Sequence, residues 1–490
     1  MRRITNILSK NWAVLIVIIA ATFFRFYRLG EFATFLADEG RDAIIIKRIV
    51  TFEHWPAIGA PTSVGHVFLG PFYYYFIAPW LLIFNFNPSG LAYGMAVFST
   101  ISLIIFYILL KKEFGSRNAF ISLFLASFSY VLIDSSRFSW NPNPLPFFSF
   151  LTAYFFIKAV QSGKYYFFIL FGAFLSFSIQ LHYLALGLAL PMIIYLFFDL
   201  YRNRSALIKR LLSYSMAVLS FTLFISPLII FDLRHDFLNS KSLLSLLESG
   251  AGIGGGGILK KIIDTFSLTN LYLFNVNFGF GITITIIFLI LIFFIFSWFR
   301  SNKSLAIYTL FFFGTMIVVA LYPGPKHSHY LGTIYLFYII LIGTALDDIS
   351  KQEVLGKVLV ALFLASFAYL SVVNYKFLWS EPNNQIGQAK EIAQFIKKKI
   401  ISPKFNFAVQ PDGWQEDSYL YFLELDGKVP QDRRQAKVGD EMIVVCGNPC
   451  DPVKSRSWNI TMFGKAKIEG QWQINGVTIY RLVHDRSEKL

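Results

Sequence analysis

The sequence predicts an all-α polytopic membrane domain with a small C-terminal α/β domain, and three observations carry that expectation. Of the 490 residues, 55% are hydrophobic and only 15% are charged, whereas a soluble globular chain has roughly 25% charged residues. Apolar runs close to the roughly 20 residues that a helix needs to cross hydrocarbon recur along residues 1–375. Beyond residue 375 the composition turns polar and the segments shorten.

The first run, near 11–28, reads as a retained span. No small-residue cleavage pattern follows it, and Arg25 and Arg28 come next, so it is not a cleavable signal. The basic residues sit in short gaps between apolar runs: MRRITNILSK, KKEFGSRN, QSGK, LYRNRSALIKR and FRSNK. Cytoplasmic loops under the positive-inside rule look like this. The net charge of +15 therefore points to a bilayer and excludes nucleic acid as the partner.

Placing those gaps in the cytoplasm sets the N-terminus inside and the loop after the first span outside. FLGPFYYYFIAPWLLIFNF is apolar enough to span, but counting it would invert every basic loop that follows. Its Tyr and Trp content suits an amphipathic helix in the outer interface. Spans then follow near 91–110, 117–134, 144–161, 165–181, 184–200, 211–231, 277–299, 304–322, 329–346 and 356–374. The total is about eleven, with the C-terminus outside, as expected of a multi-pass protein of the cytoplasmic membrane.

The split falls at 1–375 for the membrane domain and 376–490 for an extracytoplasmic domain. The latter reads as a helix over 385–401, then strands in KFNFAVQ, EMIVVC and GVTIYRLV. Its two cysteines, Cys446 and Cys450, lie where a disulfide is permitted; a reduced pair stays open as the alternative. Zinc is not expected, because His484 is the only histidine in this domain.

Ionisable groups beside membrane helices are costly, so their positions are informative. Five clusters fall on the outer side. The first is ADEGRDA, where Asp38 and Asp42 share a helix face and Arg41 lies within reach of Asp38. Asp38 as the cap of a surface helix and Asp38 as part of a reactive centre are both open. The second holds His66, ahead of Gly70-Pro71. The third is the junction DSSRFSWNPNP, with Arg137, Asn141 and Asn143; Asn before Pro is ordinary turn chemistry, and an Asn at that depth can also hold a sugar hydroxyl. The fourth is FDLRHD, with Arg234 and His235, followed by GAGIGGGG, which reads as a hinge or lid. The fifth is KHSHY, with Lys326, His327, His329 and Tyr330. Cations at an outer face break the positive-inside pattern and suit a phosphate group. His327 and His329 project apart on a helix, and no metal site is expected.

With these residues in view, the chain resembles the integral-membrane glycosyltransferases of the GT-C fold, in particular the protein O-mannosyltransferase and lipid A aminoarabinose-transferase group. The match lies in an Asp-Glu-x-Arg-x-Ala element after the first span (Asp38 to Ala43), the Pro-bearing helix GPFYYYFIAP, and a Lys-x-x-x-Tyr-type element at Lys326–Tyr330. It covers roughly residues 10–350. Two departures stand out. Relatives often carry an acid in the loop where this chain has Asn141 and Asn143, with Asp134 earlier, and Gly70-Pro71 replaces a Lys-Pro.

The resemblance implies transfer of one sugar from a polyprenyl-phosphate carrier to an acceptor hydroxyl, with inversion. Asp38 would be the base, and Glu39 and Arg41 would tune it. Lys326, His329, Tyr330, Arg234 and His235 would hold the donor phosphate. His66, Tyr74, Arg137, Asn141, Asn143 and His182 would line the substrate cleft. No cofactor is required on this reading, with a divalent cation the open alternative; the acceptor is a protein, lipid or polysaccharide. A transporter or flippase of lipid-linked sugars is the competing reading, but it would place its charges at mid-span within internal repeats. An oligosaccharide-transferring relative is the other.

Overall fold

The computed structural model describes residues 2–62, 67–250, 257–299, 303–322, 324–432, 435–447 and 449–485. His66 and most of the glycine-rich stretch, residues 251–256, lie outside them. Among the described residues, five helices are long and apolar enough to cross a membrane: Ser89–Phe114, Tyr183–Arg202, Arg204–Arg234, Lys303–Leu321 and Val354–Val373. Shorter apolar helices, Asn11–Phe26, Phe72–Ile83, Tyr165–Leu181 and Phe280–Ile292, join them. With helices Leu145–Ser162 and Tyr335–Ser350 they form the all-helical bundle that the apolar runs predict.

Three expected spans are interrupted, and the interruptions are chemically answered. The run over 117–134 ends as a helix at Phe128, because Ser129 turns extended. The Phe128 carbonyl that this frees accepts from the Tyr375 hydroxyl at 2.6 Å, and the Ser129 hydroxyl donates to the Leu273 carbonyl at 3.2 Å. The run over 184–200 opens as a 3-10 turn, Tyr183–Leu188. The run over 329–346 starts as helix only at Tyr335, after another such turn, Ser328–Leu331. Irregular backbone at membrane depth survives only where protein groups satisfy it. Arg25 follows the same rule: it is buried, with Nε donating to Ser99 Oγ at 2.9 Å and Nη1 to the Ala21 carbonyl at 3.0 Å.

Ion pairs lie beside several of the basic gaps. Lys158 pairs with Glu113, Arg210 with Asp199 at 3.5 Å, and Arg117 and Lys351 with Asp347 at 3.8 and 2.9 Å. The C-terminal residues pack against the helix that carries Asp38.

Those residues form a four-stranded sheet in the order β1-β2-β4-β3: Phe405–Gln410 (β1), Glu441–Cys446 (β2), Ala466–Ile474 (β3) and Val477–His484 (β4). β1 and β2 run parallel, and the other pairs are antiparallel. The parallel pair needs a crossover, which helix Glu416–Leu425 supplies. The β3–β4 hairpin turns at Asn475-Gly476, both at positive φ, the pair a tight hairpin favours. Cys446 and Cys450 are disulfide-bonded, which settles the alternative left by the sequence.

Helix Ala37–Val50, which carries the first charged cluster, lies between the bundle and this C-terminal unit. Its Gly40 meets the start of helix Glu416–Leu425 backbone to backbone: a Cβ there would lie 2.4 Å from Ser418 N. Ser418 Oγ donates to the Phe35 carbonyl at 2.9 Å, and the Phe35 N–H donates to Gln385 Oε1 at 2.8 Å. Glu424 takes Arg48 at 2.8 Å and Lys47 at 3.5 Å.

Gly40→Ala is accordingly expected to cost about 1–3 kcal/mol, the usual range for overpacking, and to lower the thermal midpoint in detergent. Gly281→Ala, whose Cβ would meet nothing within 4 Å, should leave that midpoint unchanged.

Candidate active site

Helix Ala37–Val50 starts where an extended Leu36 ends the preceding loop. Asp38 and Glu39 stand in its first turn, where acids oppose the helix dipole. Asp38 does not cap the helix with its side chain; Glu39 reaches back instead and accepts from the Leu36 N–H at 3.0 Å. The capping role expected of Asp38 therefore falls to Glu39, and Asp38 is left with a side chain 54% exposed. Glu39 is buried, and desolvation raises its pKa to about 7 against the pull of the Leu36 N–H.

Arg41 joins the cluster together. Its Nη1 donates to Asp38 Oδ1 at 2.7 Å, while Nε and Nη2 donate to Asp42 Oδ1 at 3.0 and 2.8 Å. Asp42 is 1% exposed and also accepts from the Tyr74 hydroxyl at 3.0 Å. Burial pushes the Asp42 carboxyl up, while the guanidinium and the Tyr74 hydroxyl pull it back. Its sequence signal was the i,i+4 spacing from Asp38; its burial beneath Tyr74 depends on a helix thirty residues away, so the site list drawn from sequence omits it. Tyr74, expected at the cleft wall, is buried behind Asp42 instead.

Helix Phe72–Ile83 links this cluster to the next. Its Tyr73 hydroxyl bonds Ser139 Oγ at 2.7 Å, and the Phe72 N–H donates to Gln180 Oε1 at 3.3 Å. Gly70, which replaces the Lys of the related pattern, is required by this contact: a Cβ would lie 2.2 Å from Gln180 Cγ. Past Ser139, the Trp140 ring packs on His329 at 4.5 Å, and His182 lies 5.6 Å from His329 and 5.1 Å from Tyr330. His182 Nδ1 accepts from the Leu184 N–H at 3.1 Å, which leaves its proton on Nε2.

The His329 ring lies among those of Trp140, His182 and His327, with centroids 4.5, 5.6 and 5.8 Å away. Lys326 is half-buried, with Nζ 3.3 Å from the Tyr322 carbonyl. Its pKa is lowered by burial and then by Lys261, with Asp264 opposing. Lys261 is a cation that the sequence reading missed, because helix Ile258–Phe274 lies beyond the glycine-rich stretch.

Other expected site residues have structural duties. Arg137 donates to the carbonyls of Phe24, Arg25 and Tyr27 at 2.6, 3.2 and 2.9 Å and stacks over Phe377. It closes the C-terminal end of the first helix. Asn143 donates to the Phe138 carbonyl at 2.8 Å, a local turn contact, whereas Asn141 donates to the Leu181 carbonyl at 2.9 Å and ties the junction to a distant helix end. Arg234 and His235 are exposed, and His235 stacks on Phe231. Among the described residues, no hydrogen bond, ion pair or ring contact joins either to Lys326, His329 or Tyr330. No group of three His, Cys, Asp or Glu among the described residues could hold a metal ion.

The fold and this arrangement have counterparts. Residues 69–231 match the family model of dolichyl-phosphate-mannose-protein mannosyltransferase. ArnT from Cupriavidus metallidurans, in a crystal structure with undecaprenyl phosphate bound, superposes with a TM-score of 0.64 at 12% identity, over 97% of this chain and 99% of that one. Its apo form gives 0.64 at 14% identity, over 96% and 98%. The Archaeoglobus fulgidus oligosaccharyltransferase, in its apo form, gives 0.52 at 14% identity, over 88% of this chain and 66% of that one. No curated protein sequence matches significantly. The fold is that of the GT-C membrane glycosyltransferases. Within that class the chain is similar to the protein O-mannosyltransferase and aminoarabinose-transferase group.

The raised pKa of Glu39 has a stability consequence. A carboxyl that holds its proton more tightly when folded stabilises fully below its unfolded value of 4.5 and loses that contribution as pH rises towards 7. Glu39→Gln, which keeps an acceptor for Leu36, is expected to unfold at a higher temperature than the parent at pH 8. The difference should shrink towards zero near pH 4.5, as read by thermal unfolding across the pH range.

Proposed function

We propose that this protein is a membrane glycosyltransferase that moves one sugar from a polyprenyl-phosphate carrier to an acceptor hydroxyl on the outer face of the cytoplasmic membrane. The observation that carries the reading is the half-exposed Asp38 carboxylate, fixed by Arg41 on a helix held from both sides. The ArnT structure with undecaprenyl phosphate supports the choice of carrier.

In this reading the acceptor oxygen attacks C1 of the sugar as its proton passes to Asp38. The C1–O bond to the carrier breaks on the opposite face, which inverts the centre, and the phosphate leaves with the electron pair. A phosphate gaining charge needs fixed donors where it departs. Lys326 and Lys261 supply cations there, and His329 and His182, with Tyr330, supply hydrogen bonds. Partial burial of Lys326 strengthens its attraction for an anion, since both lie partly out of water.

The test is sugar transfer by membranes supplied with labelled polyprenyl-phosphate sugars. Asp38→Asn is expected to slow transfer by about 10²–10⁴-fold, the span of a lost general base. Transfer at the parent rate would remove Asp38 from that role. Lys326→Ala is expected to raise the donor KM and lower kcat, measured as initial rates over a donor series; unchanged kinetics would remove Lys326 from the site.

A further inference from the structure

We infer that Asp42 is a positioning residue for the transfer reaction: it holds the Arg41 guanidinium in a fork and thereby sets how much positive charge reaches Asp38. The inference rests on the proposed role of Asp38 as base and adds a second carboxylate to it.

Three observations carry it. Arg41 is shared, with one nitrogen on Asp38 Oδ1 and two on Asp42 Oδ1. The two carboxylates differ sharply in exposure, with side chains at 54% for Asp38 and 1% for Asp42. All three donors to Asp42, the two Arg41 nitrogens and the Tyr74 hydroxyl, converge on one oxygen. The other, Oδ2, is buried with no hydrogen-bond partner among the described residues. A carboxylate placed only for stability would gain by satisfying both oxygens, since a buried unsatisfied one is costly. The arrangement instead orients the guanidinium. Its fork lies against a buried anion, and its remaining nitrogen is turned towards the exposed one.

One positive charge thus answers two negative ones. With Asp42 neutralised, the whole cation would act on Asp38, favour its ionised form and make it a weaker proton acceptor. Other ionisable groups near the trio are Glu39 on the same helix, Tyr73 and Tyr74 on the helix beneath, and Glu416 and Asp417 opening the helix packed at Gly40. Glu424, on that last helix, is already taken by Arg48 and Lys47.

The experiment is the pH dependence of kcat and kcat/KM for sugar transfer by the full chain in membranes. Asp42→Asn is expected to lower kcat about tenfold at neutral pH and to move the acid limb of kcat/KM to lower pH by about one unit. The donor KM should stay within about twofold, and Asp42→Glu should bring the limb back towards the parent position. An Asp42→Asn limb at the parent position overturns the inference, as does an Asp42→Glu limb displaced as far as that of Asp42→Asn. If Asp42→Asn is not recovered folded, Tyr74→Phe is read instead. Loss of the hydroxyl leaves Asp42 to draw Arg41 more strongly, and the limb should move to higher pH; an unmoved limb again overturns the inference. A parent protein that transfers no sugar would refute the proposed function itself, and is thereby told apart from a failure of the Asp42 role.

Discussion

The geometry of the candidate site depends on the close backbone approach at Gly40. There a surface helix with four charges in its first two turns is pinned from above by the start of helix Glu416–Leu425. From below, Tyr74 reaches Asp42 at 3.0 Å. The upper one fixes the position of the helix along its axis, because only a glycine lets two backbones meet so closely. The lower one fixes its rotation, because Asp42 must point into the protein, and its i−4 neighbour Asp38 then emerges at the rim. A helix of this length floating at an interface would have no such definition.

The two charged clusters differ in how they handle water. At the acidic end one carboxylate is exposed, one is buried as an ion pair, and one is buried with its proton held more tightly. At the other end, the rings of His182, His327, His329 and Tyr330 crowd together beside the half-buried Lys326. Under the proposed function, phosphate recognition by such a set would combine lysine point charges with imidazole and hydroxyl groups. That distinguishes it from an arginine fork, which binds by planar bidentate contacts.

Much of the fold was legible in the sequence because its cause is local or periodic. Apolar runs gave the bundle, and alternation gave three of the four strands. What was not legible depends on partners distant in sequence. The break at Ser129 needs Tyr375 to answer a freed carbonyl. Arg137 looked like a cleft cation until the first helix was seen to end beneath it. Asp42 carried a visible spacing, but its burial is set by Tyr74. The Lys326 cluster was legible as a charge anomaly, whereas the packing of His329 against Trp140 and His182 depends on partners that no pattern in KHSHY encodes. Gly70 is a similar case: it looked like a loss relative to a Lys-Pro pattern and is a packing requirement set by Gln180.

The link between Ser418 and the Phe35 carbonyl spans 383 residues of chain, and that separation bears on the order of assembly. Proteins made and inserted from the N-terminus fold their early elements first. Here the helix bearing Asp38 is made well before helix Glu416–Leu425, the surface that pins it. Until then the acidic helix has Tyr74 beneath it and water above. The contact at Gly40 therefore forms only once helix Glu416–Leu425 has been made, and a product ended before that helix would carry the charged motif without this contact.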